Sequence, residues 1–240
     1  MTALVVSDLH LDPARPEIAA QFRAFLAGAA RAASALYVLG DLFELWIGDD
    51  DPEPDKRAVI ADLRSAADSG VALYFLHGNR DFLLGERFCE ETGGTLLTDP
   101  TVVERYGRRV LVTHGDALCT DDAPYQRLRA LVRDPRWQAQ FLALSVGQRQ
   151  ALAREARAGS QAHTQAQPKM LMDVNADAVA AVFRSAGVDT LVHGHTHRPG
   201  VHALTVDGRA CTRIVTGDWY TQGSCLRWDE QGLALEALPR

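Results

Sequence analysis

A chain of 240 residues, 47% hydrophobic and 23% charged, has room for one large folded domain and falls outside the disordered and fibrous classes. Its formal net charge of -6 argues against a duplex-DNA binder that relies on a general excess of positive charge, so no nucleic-acid partner is expected. Cys89, Cys119, Cys211 and Cys225 form no CxxC pair, which points to reduced thiols rather than a zinc knuckle or a disulfide framework.

The first apolar run, Ala3 to Val6, stops at Asp8 and His10 and lacks a basic leader, so it reads as a buried strand and not as a signal peptide. Glu17 to Arg31 then carries Ile18, Phe22, Phe25 and Leu26 at helical spacing. The run ALYVLGD ends on Asp41. The acidic run Asp49 to Asp51, followed by Pro52, reads as a solvated loop before a second helix over Lys56 to Ser69. ALYFLHGNRD, VLVTHGD, TLVHGHTHRP and IVTGDW repeat the pattern of a short apolar run closed by polar residues and glycine. Strands alternating with helices predict right-handed βαβ units and a largely parallel α/β arrangement, with ligand-binding residues in the loops beyond the strand ends. No segment offers the roughly 20 uninterrupted apolar residues of a membrane-spanning helix, and a cytoplasmic protein is expected.

Residues 123–169 differ from the rest. They are rich in Arg and Gln, with helical apolar spacing at Leu128, Leu131 and Val132 and again at Trp137, Phe141 and Leu144. Eight Lys or Arg against Asp134 and Glu155 give the stretch about +6, which leaves about -12 for the remainder. It reads as a helical cap insertion within a single domain of residues 1–240, its apolar residues turned inward and its arginines on the wet face.

The chemistry gathers at the ends of the apolar runs. Asp8 and His10, spaced i and i+2, can point the same way in an extended geometry, as can His195 and His197. Asp41 has two oxygens with which to bridge two cations, Asn79 offers a neutral carbonyl oxygen and His114 an imidazole nitrogen. One such residue alone is more often a helix cap or a hydrogen-bonded loop group. Seven of them in five motifs form a two-metal set, and carboxylate mixed with imidazole suits manganese, iron or zinc better than calcium. His77, His193 and His202 adjoin the motifs and read as structural, and His163 stays undecided. Asp81 and Asp116 read as groups that orient ligands or backbone, and Asp218 as a turn residue.

The words DLH, GD, GNRD, THGD and GHTH, in this order across nearly the whole chain, resemble the five signature blocks of the calcineurin-like metallophosphoesterases. That resemblance implies an α/β fold, a two-sheet β-sandwich flanked by helices in four αββα layers. It also implies two divalent metal ions, one held by Asp8, His10, Asp41 and His197 and the other by Asp41, Asn79, His114 and His195. The longer words SDLHL, VLGDLFELWIGDD, HGNRDFLLG, THGDALCTDD, MDVN and HGHTHRP resemble more closely the branch that hydrolyses the pyrophosphate bond of UDP-2,3-diacylglucosamine in lipid A biosynthesis.

This closer resemblance implies Mn2+ as the metal. Asp41, Asn79, Arg80 and His195 are implied as catalytic, and Asn79, Arg80, Asp122, Ser160, Thr164, Gln167 and His195 as substrate-binding. The family tends to carry an amide at the place of Thr164 and a lysine at that of Gln167, so the cap contacts, Lys169 included, depart from its pattern. The implied partners are a UDP-linked diacylated sugar lipid and, through the basic cap, the anionic cytoplasmic face of the inner membrane, with no protein partner. Another dinuclear-metal phosphodiesterase, acting on cyclic nucleotides or nucleotide-alcohols, would share every ligand. A non-catalytic scaffold of the same fold is a further alternative, opposed by the complete ligand set.

Overall fold

The computed structural model describes residues 1–166 and 173–239, with residues 160–166 described as helical backbone alone. Strands β1 (Ala3–Val6), β2 (Ala35–Val38) and β3 (Ala72–Phe75) pair in parallel, Val5 opposite Tyr37 and Tyr37 opposite Tyr74. Helices α1 (Pro16–Ala27) and α2 (Pro54–Asp68) make the crossovers. Each opens on a proline, whose missing N–H would have no helical partner at that position anyway. The buried face of α1, Ile18, Phe22, Phe25 and Leu26, is the one the spacing predicts, and α2 buries Val59, Ile60 and Leu63. Helix α3 (Glu86–Thr92) ends at Gly93, and the short β4 (Thr95–Leu96) joins β3 at the sheet edge.

A second sheet follows from β5 (Thr101–Arg105), β6 (Arg108–Thr113), β7 (Thr190–His193), β8 (Gly200–Val206) and β9 (Arg209–Val215), in the order β5-β6-β7-β9-β8. The chain then returns to the first sheet with β10 (Gly223–Asp229) and β11 (Gly232–Leu238), giving the order β11-β10-β1-β2-β3-β4. Both sheets are mixed. Their centres are parallel as expected, but β5–β6, β8–β9 and β10–β11 are antiparallel hairpins. Tyr106-Gly107 and Asp207-Gly208, all at positive φ, form two-residue turns whose twist matches that of the flanking strands.

Successive strand residues face opposite ways, and this sorts the core into layers. Ala3, Val5, Tyr37 and Leu39 meet Val110, Val112, Val192 and Ile214 between the sheets. Leu4, Val6, Leu36 and Val38 pack outward under α1 and α2. Leu111 and Leu191 pack beneath α7 (Ala176–Ala186), against Val179 and Phe183. The result is the four-layer α/β sandwich, helices outside two sheets. Between β6 and α7 stand α4 (Ala123–Val132), α5 (Pro135–Leu142) and α6 (Val146–Ala166). No helix among the described residues is long and apolar enough to cross a membrane.

Candidate metal centre

The loops after β1, β2, β3, β6 and β7 open at one end of the sandwich and bring the seven candidate ligands together. The i, i+2 pairs do not converge by extended geometry, as the spacing suggests. Asp8, His10, Asp41, His195 and His197 all have φ between +49° and +67°, in the left-handed region. Among the described residues, the other non-glycine ones there, Tyr106 and Asp207, belong to the hairpin turns. Left-handed backbone costs a non-glycine residue energy and persists where the surroundings hold it. Here the loops clamp one another: His10 N–H donates to Asp41 O at 2.9 Å, Arg80 N–H to Asp41 Oδ1 at 2.8 Å and His195 N–H to Asp8 Oδ2 at 3.0 Å. Closeness accounts for two glycines, since a Cβ on Gly78 would lie 2.1 Å from Asp41 Oδ1 and one on Gly194 2.3 Å from Asp8 Oδ2.

Two ligand sets emerge. In the first, His10 Nε2 and His197 Nε2 lie 3.1 Å apart, and Asp8 Oδ1 is 3.9 Å and 3.4 Å from them. In the second, Asn79 Oδ1 lies 3.0 Å from His114 Nε2 and 2.9 Å from His195 Nδ1. Asp41 Oδ2 stands between the sets, 3.6 Å from His10 Nε2 and 3.8 Å from His114 Nε2, where a bridging oxygen belongs.

The donors fit divalent cations. His114 gives its Nδ1 proton to Leu39 O at 2.9 Å, so its Nε2 is the nitrogen left to face a cation once the ring gives up its second proton. Behind His10 Nδ1 lies Glu44 Oε2 at 2.8 Å, and behind His197 Nδ1 lies Asp218 Oδ2 at 3.3 Å, which turns both Nε2 atoms toward the site. With its oxygen inward, Asn79 joins a ring of acceptors that includes Asp41 Oδ2 at 3.1 Å, an arrangement a cation would neutralise.

Charge in the site is tightly set. Burial works to raise the Asp8 carboxyl, but the hydrogen bond and charge of His197, with the charges of His114 and His10, hold it well below the carboxylate range. Burial and then the charge of His114 push His195 down to about 4, so that ring is neutral at physiological pH. Asp81 is pushed up to about 6 by burial and the charge of Asp41, against the amides it accepts.

The surrounding groups divide into those anticipated and those missed. Asp81 holds backbone, accepting N–H groups from Leu42 at 2.7 Å and Gly78 at 2.8 Å. Asp116 reaches the site through α4, taking the Tyr125 hydroxyl at 2.7 Å and Arg129 Nε at 2.8 Å, while the Tyr125 ring stacks on His195 at 5.9 Å. His77 bonds Leu84 O, His193 bonds Gly194 O and Arg213, and His202 is exposed. Asp218 is more than a turn residue: it accepts Tyr220 N–H at 3.0 Å, as a turn aspartate does, and also backs His197. Glu44 was missed, although a lone carboxylate inside the apolar word FELW was its signal.

The acidic run is likewise no solvated loop. Asp49 accepts Gly85 and Phe88 N–H groups at the start of α3, Asp50 pairs with Arg149, and Asp51, 2% exposed, pairs with Lys56 at 2.6 Å.

Beside the second ligand set a cavity of about 550 Å³ opens between the site and α4–α6. Asn79, Arg80 and Asp116 line its inner end, and Leu128, Val132, Trp137, Phe141, Leu144 and Leu152 much of the rest. Trp137 stacks on Phe141 at 5.1 Å and lies 6.1 Å from Phe82. The arginines of these helices are not all on the wet face. Arg129 turns inward to Asp116, Arg133 to Gly78 O, Arg149 to Ile47 O and Asp50, and Arg157 to Glu44, because buried carbonyls and carboxylates of the sandwich need donors. Arg127, Arg136 and Arg154 remain exposed.

Asp122 caps α4, accepting Tyr125 N–H at 3.0 Å, and is absent from the cavity lining. Gln167, Lys169 and Met172 lie outside the described residues, as do the side chains of Ser160, His163 and Thr164.

A two-sheet sandwich with two such ligand sets at its loop end defines a class. A family model for calcineurin-like phosphoesterases matches residues 1–199, and the chain belongs to that family. More particularly, it is 54% identical, over 100% of both chains, to a UDP-2,3-diacylglucosamine hydrolase of Stenotrophomonas maltophilia (strain K279a). It is 51% identical, over 98% of both, to a protein of that name from Xanthomonas oryzae pv. oryzae (strain PXO99A). Among solved structures, an archaeal phosphodiesterase superposes with a TM-score of 0.51 at 14% identity, over 99% of this chain and 100% of the other, a likeness of fold.

Proposed function

We propose that this chain is a hydrolase of UDP-2,3-diacylglucosamine, splitting the pyrophosphate bond by attack of water at the α-phosphorus to give UMP and 2,3-diacylglucosamine 1-phosphate in lipid A biosynthesis. The observation that carries the reading is the apolar cavity of about 550 Å³ abutting the second ligand set, which offers acyl chains a place beside the reacting phosphate. The full-length likeness to hydrolases of that name supports it.

Asp8, His10, Asp41 and His197 would hold one ion and Asp41, Asn79, His114 and His195 the other, with Mn2+ as the proposed metal. Bound there, the ions would supply an acidified water as nucleophile and positive charge for the phosphoryl oxygens. Arg80, at the inner end of the cavity, meets the diphosphate with a planar fork and offsets charge as it builds. Asn79 and neutral His195 border the same oxygens. Asp122, Ser160, Thr164 and Gln167 are proposed for the sugar and phosphate region. Residues 123–169 serve as the cap within a single domain 1–240.

The location proposed is cytoplasmic, peripheral on the inner membrane. Exposed Arg127, Arg136 and Arg154 support it, standing beside Leu128, Leu131, Leu142 and Leu152, each at least 43% exposed. Each arginine contributes on the order of 1 kcal/mol near an anionic bilayer.

The reading is tested by turnover in 18O-labelled water. Chelator-stripped protein restored with Mn2+ should place the label in UMP. Label in the sugar 1-phosphate, or no turnover of this substrate, would refute it.

A further inference from the structure

Glu44 occupies a position that neither the ligand motifs nor the cap accounts for. It lies three residues beyond Asp41 and is only 9% exposed. Its backbone is locked to the loop that carries His10: Leu11 N–H donates to Leu42 O at 2.9 Å and Glu44 N–H to Leu11 O at 3.1 Å. Each carboxylate oxygen faces a nitrogen. Oε2 sits 2.8 Å from His10 Nδ1, and Oε1 takes the Arg157 guanidinium of α6 in an ion pair. The same α6 lines the cavity with Leu152, Ala153 and Ala156, and Glu44 itself reaches the cavity wall.

A neutral imidazole carries one proton on either nitrogen, and only the lone-pair nitrogen can ligate. A carboxylate behind Nδ1 keeps the proton there and fixes the ring plane. Arg157 in turn fixes the carboxylate, since without it the largely buried charge would be left uncompensated.

We propose that Glu44 is a positioning residue that sets the His10 ring for the first metal ion and, through Arg157, ties the placement of α6 to that ion. The placement of this cavity wall and the loading of the first metal are then coupled. The second ion stands apart from this link, because His114 leans on the Leu39 carbonyl instead.

The inference rests on the two-metal reading, so the test starts with chelator-stripped, full-length wild-type protein titrated with Mn2+ by calorimetry and by electron paramagnetic resonance. Failure of the wild type to take up two ions would overturn the metal centre itself and this role with it. Given two ions, E44Q should weaken one of them by about 10- to 100-fold, the range for groups behind metal-bound histidines, and leave the other within about twofold. R157A, at a side chain 20% exposed and so tolerant of replacement, should weaken the same ion by less, and R157K should restore it. Wild-type binding of both ions in E44Q, or equal weakening of both, overturns the role of Glu44. An unchanged first ion in R157A overturns the tie to α6.

Discussion

At the metal centre every candidate ligand stands in a loop clamped by its neighbours, with buried carboxylates, backbone amides and glycines fixing five residues in left-handed backbone. In α4 and α5, by contrast, no residue is fully buried, and the inward contacts are arginine pairs and a rim of aromatic rings. The contrast separates two tasks. A site proposed to hold two ions is built from rigid parts, whereas a wall proposed to admit a flexible chain is built from parts that can shift.

The contrast can be broken first at the site. Asp41→Ala removes the oxygen between the two ligand sets, and turnover should fall by more than about 10³-fold, beyond the loss of a single transition-state donor. Steady-state rates with metal content measured in parallel check this. Retention of both ions would dissolve the bridging assignment.

Next come packing losses. Phe88, fully buried and edge-on to Phe75 at 4.9 Å, should cost about 3–5 kcal/mol when cut to Ala, while Trp137→Ala in the cap should cost less than about 1 kcal/mol. Denaturant unfolding measures both, and equal losses would mean that the cap is as much core as the sandwich.

A smaller effect is expected where the two regions meet. Arg149→Ala strips Ile47 O and Asp50 of their donor, and the change should show as faster amide exchange in α5 and α6, worth about 1 kcal/mol, with the strands unaffected. Least visible is the thiol chemistry. Burial pushes Cys119 and Cys225 up to about 12, so at pH 8 only about one thiol in 10⁴ is ionised, and alkylation of the native protein should be slow at both. Their rates should rise as pH approaches 12; rapid labelling at pH 8 would place them in an opening region.

The sequence made most of the buried parts of the fold legible, although the buried β10 went unread. β1, β2, β3 and β7 are short apolar runs, β6 and β9 close on one, and α1 and α2 carry their contacts at helical spacing. The edge strands went unread because their alternation is weak: β8 is mostly exposed along its length, and the two-residue β4 is too short to show a period. The ligand residues were legible as types, yet their convergence depends on left-handed loops that no periodicity encodes. Glu44 and Asp218 escaped because their partners are His10 and His197, set by the fold and not by spacing. The inward arginines were misplaced for a similar reason, since Asp116, Asp50 and Glu44 meet them only in the assembled fold.

The division between a site that sets the reaction and a cap that sets the substrate is tested most directly by a ratio. Trp137→Ala and Phe141→Ala should be assayed, against wild type, for kcat/KM on UDP-2,3-diacylglucosamine and on a water-soluble phosphodiester with no acyl chain. The ratio of lipid to soluble substrate should fall by about 10- to 200-fold in the variants, the range for lost contacts in an apolar pocket. An unchanged ratio, with both substrates falling together or neither moving, would contradict it.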